Sequence, residues 1–342
     1  MIEVGSNISV IICAYTEERW GDLVAAVESI KRQNISPYEI IVVIDHNKPL
    51  YERVRATMPE IILLENSEPR GASGARNSGV AVARGKLIAF LDDDAVAEPD
   101  WLQRLSACCE DTQVLGAGGL VEPLWSNECP VWFPKEFYWV VGCSYQDVPE
   151  TPIAVRNTFI GCTCISREVL EAIGGFNSGV GRVGANALGC EETELCIRAS
   201  QRWPQKIFLF EPKARIHHRV SLSRARWRYF LSRCYAEGLS KATIAKHVGA
   251  KDSLSSECAY TLCVLPRGVF RGLKDTLFHG DVAGLMRAGA IIAGFIMTAS
   301  GYLAGSITLD FFIRKVLTMS MGHKLVQDNI LITKGLGGEE HS

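Results

Sequence analysis

Asp92, Asp93 and Asp94 stand in a row at the end of an apolar run, Leu87 to Leu91, and ahead of a turn at Pro99. A buried strand therefore delivers three carboxylates to the loop at its carboxyl end, which is where open α/β sheets bind ligands. Carboxylates this close repel one another by roughly a few kcal/mol per pair at an effective dielectric near 20, and a divalent cation reverses the sign of that interaction. The triplet reads as a metal seat. Its alternative is a solvated acidic turn capping the helix that opens near Trp101.

Three further constellations fall at carboxyl ends of expected strands: Ala14 to Arg19 with Tyr15 and Glu17, Asp45 to Asn47, and Arg70 to Gly79. Asp45 can accept from the imide N–H of a pyrimidine, and Arg70 or Arg76 can pair with a diphosphate or close the base site. Gly71, Ala72, Ser73 and Gly74 let backbone approach a ligand at a helix start. The spacing is neither GxGxxG after the first strand nor GxxxxGK[ST], so dinucleotide-binding and P-loop readings fail. Together these residues describe a nucleotide cradle.

The elements that hold them alternate. Strands are expected at 8–13, 40–44, 61–64 and 86–91, with helices at about 20–32, 50–58 and 73–83 between them. This βαβ series predicts an α/β fold with a doubly wound, mostly parallel sheet, and right-handed crossovers put every strand's carboxyl end on one rim. Beyond Gly116 comes an aromatic, proline-rich stretch from Trp125 through Trp132 to Trp139, readable as a pocket wall or as core. A second βα portion runs from Asn157 to about Phe210 and contains the Gly174, Gly175, Phe176 turn and the acids Glu191, Glu192 and Glu194. Between Lys213 and Arg233 there are seven Lys or Arg residues and no acid, with Trp227, Leu231 and Cys234 at i, i+4 and i+7. That pattern predicts a basic amphipathic helix on an anionic lipid surface, or a solvated one. From Ala288 to Leu309 there are 22 residues without a formal charge, enough to span a bilayer, although four glycines leave a re-entrant, interfacial or helix-packed segment equally open.

The composition excludes several classes. A net charge of −2 gives no global attraction to nucleic acid. The twelve cysteines include no CxxC pair, which argues against a zinc knuckle or a secreted disulfide framework and for a reducing compartment. The chain enters a strand almost at once, so no exported leader is expected.

The ordered set VIICAYTEER, EIIVVID, RGASGARNSG, FLDDDAVAEPDWL, IGGFN, GCEETELCIR and ARIHHRV resembles inverting family 2 glycosyltransferases of the GT-A fold. The segments WFPKEFYWVVG, RNTF and GCEETELC point within that family to the branch of archaeal glucosyl-dolichyl-phosphate glucuronosyltransferases. The resemblance implies a GT-A domain over 6–240, with a nucleotide-binding half at 6–120 and an acceptor half at 121–240. A helical, membrane-associated extension at 241–325 and a flexible tail at 326–342 would follow. It implies nucleotide contacts from Ala14, Tyr15, Glu17, Asp45, Arg70, Arg76, Asp92 and Asp93, and a Mg²⁺ or Mn²⁺ held by Asp94 and Asp92 with His218, or its neighbour His217, nearby. Glu192 becomes the base, with Glu191, Trp132 and Trp139 toward the acceptor. The family has Glu-Asp where this chain has Glu191 and Glu192, so the base is one methylene longer. Burial beside Glu191 and Glu194 is expected to raise its pKa. The expected partners are a UDP-sugar and a lipid-linked saccharide or other glycan at the cytoplasmic face of the membrane, with Arg156 a spare cation for a uronate. A sugar-nucleotide nucleotidyltransferase and a non-catalytic membrane scaffold are the alternatives; the first normally opens with a glycine-rich, arginine-containing loop where CAYTEER stands, and the second should have lost its acids.

Overall fold

A computed structural model describes residues 7–145, 149–179, 181, 189–249, 252 and 255–307. The first half follows the apolar runs. Strands β1 (Ile8–Ala14), β2 (Glu39–Ile44), β3 (Ile62–Glu65) and β4 (Leu87–Asp92) alternate with helices α1 (Trp20–Lys31), α2 (Lys48–Thr57) and α3 (Ala72–Val82). They pair in parallel in the order β3, β2, β1, β4. Successive residues of one strand enter opposite layers. Ile12, Val42 and Leu91 pack with Leu23 and Val27 of α1, while Ile11, Val43 and Phe90 share the other layer with Ala75 of α3. Both faces are covered, which is why these strands read as unbroken apolar runs.

After β4 come the short β5 (Ala95–Ala97), α4 (Trp101–Cys108), β6 (Val114–Trp125), β7 (Ile153–Val155), β8 (Cys162–Ser166), α5 (Arg167–Ala172), α6 (Glu191–Arg202) and β9 (Ile207–Val220). The sheet turns mixed here. β8 inserts antiparallel between β4 and β6, β6 runs parallel to β9, and β5 and β7 each pair antiparallel with β9. The β5–β9 pairing sets His218 opposite Ala95, and the Arg219 N–H donates to the Asp94 carbonyl (2.8 Å). A strand from the far end of the domain thus lies against the acidic loop.

The basic stretch from Lys213 is therefore not one helix. Its first part is β strand to Val220, where buried Ala214, Ile216, His218 and Val220 alternate with more exposed residues, and α7 (Trp227–Val248) begins only later. The boundary expected at 120/121 falls within β6 and that at 240/241 within α7. Two short helical segments, α8 (Ser255–Ala259) and a π-helical turn at Tyr260–Val264, lead into α9 (Leu265–His279). The final described helix, α10 (Val282–Ile307), is the one helix among the described residues long and apolar enough to cross a membrane. Thr308 and Leu309 of the expected apolar segment, and the tail at 326–342, lie outside the described residues.

Candidate active site

The rim at the carboxyl ends of β1, β2 and β4 opens onto a cavity of about 240 Å³. Cys13, Ala14, Tyr15 and Arg19 line it after β1, Asp45 after β2, Arg70 to Ala72 and Arg76 around the start of α3, and Asp92 to Asp94 after β4. Asp45 builds the cradle as well as facing it. Its Oδ1 accepts from Asn66 Nδ2 (2.7 Å) and its Oδ2 from the Gly71 N–H (3.0 Å). Gly71 sits at φ 136°, a conformation that excludes a side chain at low cost, so glycine is required where the loop turns into α3.

The three acids have separate surroundings. Asp94 is buried, with His218 Nε2 at 3.1 Å from Oδ1 and Arg19 Nη1 and Arg224 Nη2 at 3.0 and 3.5 Å from Oδ2. Burial opposes its charge, but His218, Arg19 and Arg224 outweigh it and hold Asp94 well below the usual carboxylate range. In return Asp94 overcomes the burial of His218 and lifts that imidazole to about 10. Asp93 accepts from Arg19 through Oδ1 (2.9 Å), while its Oδ2 has no hydrogen-bond partner among the described residues. Burial, reinforced by the Asp94 charge, pushes Asp93 up to about 7. Asp92 is the most open, 3.5 Å from Arg76, and packs so tightly over Gly161 that a β-carbon there would sit 2.2 Å from Oδ2. One ligand atom each from Asp92, Asp94 and His218 can be chosen so that all three lie within 4.8 Å of one another. Two carboxylate oxygens and an imidazole suit Mn²⁺ and, through the oxygens, Mg²⁺, and His218 would join such a cation by giving up the proton it shares with Asp94.

His217 points the other way, with Nε2 2.6 Å from Glu98. Strand alternation decides between the two histidines.

Across the cavity, α6 presents Glu191 and Glu192 from its first turn. Cys190 immediately before it holds φ 72°, an unusual left-handed conformation for a residue with a side chain, and its thiol donates to Glu237 of α7 (3.0 Å). Arg76 donates to Glu191 (2.8 Å) and so stands between the two acidic groups. Glu192 keeps part of its surface toward the cavity, but its carboxyl is enclosed by protein. Burial first, then the Glu191 charge, raise it to about 8. The expected contribution of Glu194 is replaced by Glu237, because Glu194 is clamped by Arg198 (2.7 and 2.8 Å).

The sequence profile of glycosyl transferase family 2 matches residues 9–174. Over 310 residues the chain is 30% identical to the glucosyl-dolichyl phosphate glucuronosyltransferase of Haloferax volcanii, covering 88% of this chain and 97% of that protein. The chain belongs to glycosyltransferase family 2. This glycosyltransferase is also 23% identical to the succinoglycan biosynthesis protein ExoM of Rhizobium meliloti, over 82% of this chain and 93% of that one. It shares its fold with the mannosyltransferase PcManGT of Pyrobaculum calidifontis, solved with GDP-Man and Mn²⁺, at a TM-score of 0.54 and 18% identity over 85% and 86% of the two chains. Family membership sets aside the nucleotidyltransferase alternative, and the acids whose loss would mark a scaffold are all present in the cavity.

The glycosyltransferase brings most of the expected residues together: Ala14, Tyr15, Asp45, Arg70, Arg76, Asp92, Asp93, Asp94, Trp139, Glu191, Glu192 and His218 all line one cavity. Glu17 and Trp132 are not among the lining residues. Glu17 is exposed on a one-turn 3₁₀ helix, and Trp132 packs on Phe133, Trp227 and Phe230. Arg156 is not a spare cation, since it donates to both oxygens of Glu257 (2.6 and 3.0 Å). Arg19, Arg224, Tyr229 and Arg233 join the lining without having been singled out. For Arg19 the signal lay in CAYTEER. For Arg224 and Arg233 it was the basic run itself, in which Arg224 reaches Asp94 and Arg233 reaches Glu237.

Proposed function

We propose that this glycosyltransferase moves a sugar from a UDP-sugar to a lipid-linked saccharide in one inverting displacement, at the cytoplasmic face of a membrane. The observation that carries this reading is the opposition of two acid sets across one cavity, with Asp92, Asp94 and His218 on one wall and Glu192 on the other. A Mg²⁺ or Mn²⁺ held by Asp92, Asp94 and His218 would supply neutralisation of the departing nucleoside diphosphate. Asp45 receives the base N–H, Tyr15 lies exposed at the mouth with Arg19 5.3 Å from its ring centroid, and Arg70 is exposed with no ion-pair partner among the described residues. That leaves Arg70 available to a phosphate or to a uronate carboxylate.

Glu192 takes the acceptor hydroxyl proton. A carboxyl raised to about 8 is a far stronger base than an ordinary glutamate, and it is deprotonated and ready as pH rises through that value. Arg76 holds Glu191 in place beside it and prevents two adjacent charges from forcing the helix start apart. The donor sugar of the Haloferax relative supports glucuronosyl transfer as the first specificity to try. Nucleoside diphosphate release from a panel of UDP- and GDP-sugars, with Mn²⁺ and a polyprenyl-linked saccharide, tests the reading. Release with a UDP-sugar and product of opposite anomeric configuration is expected; a retained configuration, or turnover with GDP-sugars alone, overturns it.

A further inference from the structure

Helix α10 carries its side chains in the reverse order of a water-soluble helix. The face turned to the protein is made mostly of small residues, Gly284, Ala288, Ala290, Gly294, Gly301 and Gly305, with Ile291 the one large side chain fully buried there. Gly294 meets Phe137 and Phe230, Gly301 meets the Tyr235 backbone, Gly305 meets Ala242, and Gly284 meets Gly272 of α9. The face turned outward carries Leu285, Ile292, Phe295, Ile296, Leu303 and Ile307, all exposed. Helix α9 continues this surface with Phe270, Leu277 and Phe278, which are 70%, 78% and 77% exposed. Beside them Arg267 and Lys274 are exposed and have no ion-pair partner among the described residues. Large apolar groups outside and glycines inside are stable when the outer medium is itself apolar, because no hydrophobic gain then favours burying the larger groups.

The way α10 is held argues against a crossing. Arg287 reaches the Val131 carbonyl (3.5 Å) and Asp275 and Asp281 (3.2 and 2.8 Å), and contacts with the catalytic domain continue through Gly294 and Gly301 to Gly305. At about 1.5 Å per residue this contact runs for roughly 27 Å, nearly the full thickness of a hydrocarbon core. A helix crossing the bilayer would have to shed those contacts or take the domain wall with it.

We propose that α9 and α10 form a hairpin lying in one leaflet of an anionic bilayer, with the outward stripe among the acyl chains and Arg267 and Lys274 at the headgroups. The placement has a consequence for the reaction. Helix α10 packs on α7, whose Tyr229 and Arg233 line the cavity, and Tyr260 before α9 accepts from the cavity residue Trp139 (3.0 Å). A saccharide on a lipid in the same leaflet is thereby presented beside the acid-lined cavity. This deepens the membrane reading above, and its test measures lipid contact without any sugar transfer, so the two can fail separately.

The full chain is floated with vesicles of phosphatidylcholine alone and of phosphatidylcholine with phosphatidylglycerol. Binding to the anionic vesicles is expected. Leu277→Asp with Phe278→Asp should weaken it at least ~tenfold, and Arg267→Glu should cost about fivefold on anionic vesicles and little on neutral ones. Both positions are exposed, and an unchanged melting temperature confirms folding. Depth is then read by introducing Phe270→Trp, Leu285→Trp, Phe295→Trp or Leu303→Trp singly, and measuring the quenching gained over the parent chain with lipids brominated at shallow or deep chain positions. All four should be quenched best by shallow bromines. Deep quenching at Phe295→Trp with shallow quenching at the others means a crossing helix and overturns the proposal. So does failure to bind vesicles, or a solution dimer that the Leu277→Asp, Phe278→Asp chain no longer forms.

Discussion

Two carboxylates face the same cavity from opposite halves of the fold, and their surroundings differ chiefly in the sign of the nearest charges. Asp94, on the loop after β4, has His218, Arg19 and Arg224 within 3.5 Å and is held ionised despite its burial. Glu192, at the start of α6, has Glu191 and Glu237 for neighbours and is raised to about 8 by burial and then by Glu191. A group held in its charged form by cationic neighbours suits a cation; a group whose proton is loosely balanced near neutrality suits proton transfer. The same residue chemistry is thus divided into two roles by what each half of the domain brings near it.

The largest expected effect is on the second role. Glu192→Gln should lower kcat by about 10² to 10⁴ with the donor Kd unchanged. In the parent chain kcat should rise with pH through about 8 and fall below it, since the deprotonated carboxylate is the active form, and in Glu192→Gln that limb should vanish. A residual limb at the same pH would assign it to another group. Next in size, His218→Ala should weaken Mn²⁺ binding by about 10- to 100-fold, whereas His217→Ala, on the opposite side of β9, should change it by less than about threefold; calorimetric titration reads both. Equal losses would mean that strand alternation does not select the ligand. The smallest is Gly161→Ala, whose β-carbon would displace Asp92; about a tenfold weaker metal affinity is expected, with kcat at saturating metal little changed.

The first half was legible because β1, β2 and β4 are buried on both faces, the edge strand β3 is half-buried, and all are flanked by turns, so apolar runs alone locate β1 to β4 within a residue. The acids at their ends followed from that placement. The second half was harder to read for a definite reason. In Ala214 to Val220 the apolar residues alternate with His and Arg at period two, the mark of a strand, but the density of charge drew attention to the helix that begins after it. Misreading this segment concealed the destinations of its cations. Arg224 reaches Asp94 only because β9 pairs with β5, and Arg233 meets Glu237 one turn along α7, which also receives the Cys190 thiol. The β9–β5 pairing joins residues more than a hundred positions apart, and the Cys190–Glu237 contact joins two helices 47 positions apart, so no local pattern records either. Arg156 illustrates the reverse case, a cation that seemed free until Glu257 of α8 folded onto it.

The division of labour between the two walls is tested most directly by measuring Mn²⁺-dependent binding of UDP to Asp94→Asn and Glu192→Gln side by side, with single-turnover transfer from the preferred donor. Asp94→Asn should lose the metal-dependent part of binding, and Glu192→Gln should bind as the parent chain does and fail to transfer. If Asp94→Asn keeps its metal dependence, or Glu192→Gln transfers at the parent rate, the assignment of cation to one wall and proton to the other is wrong.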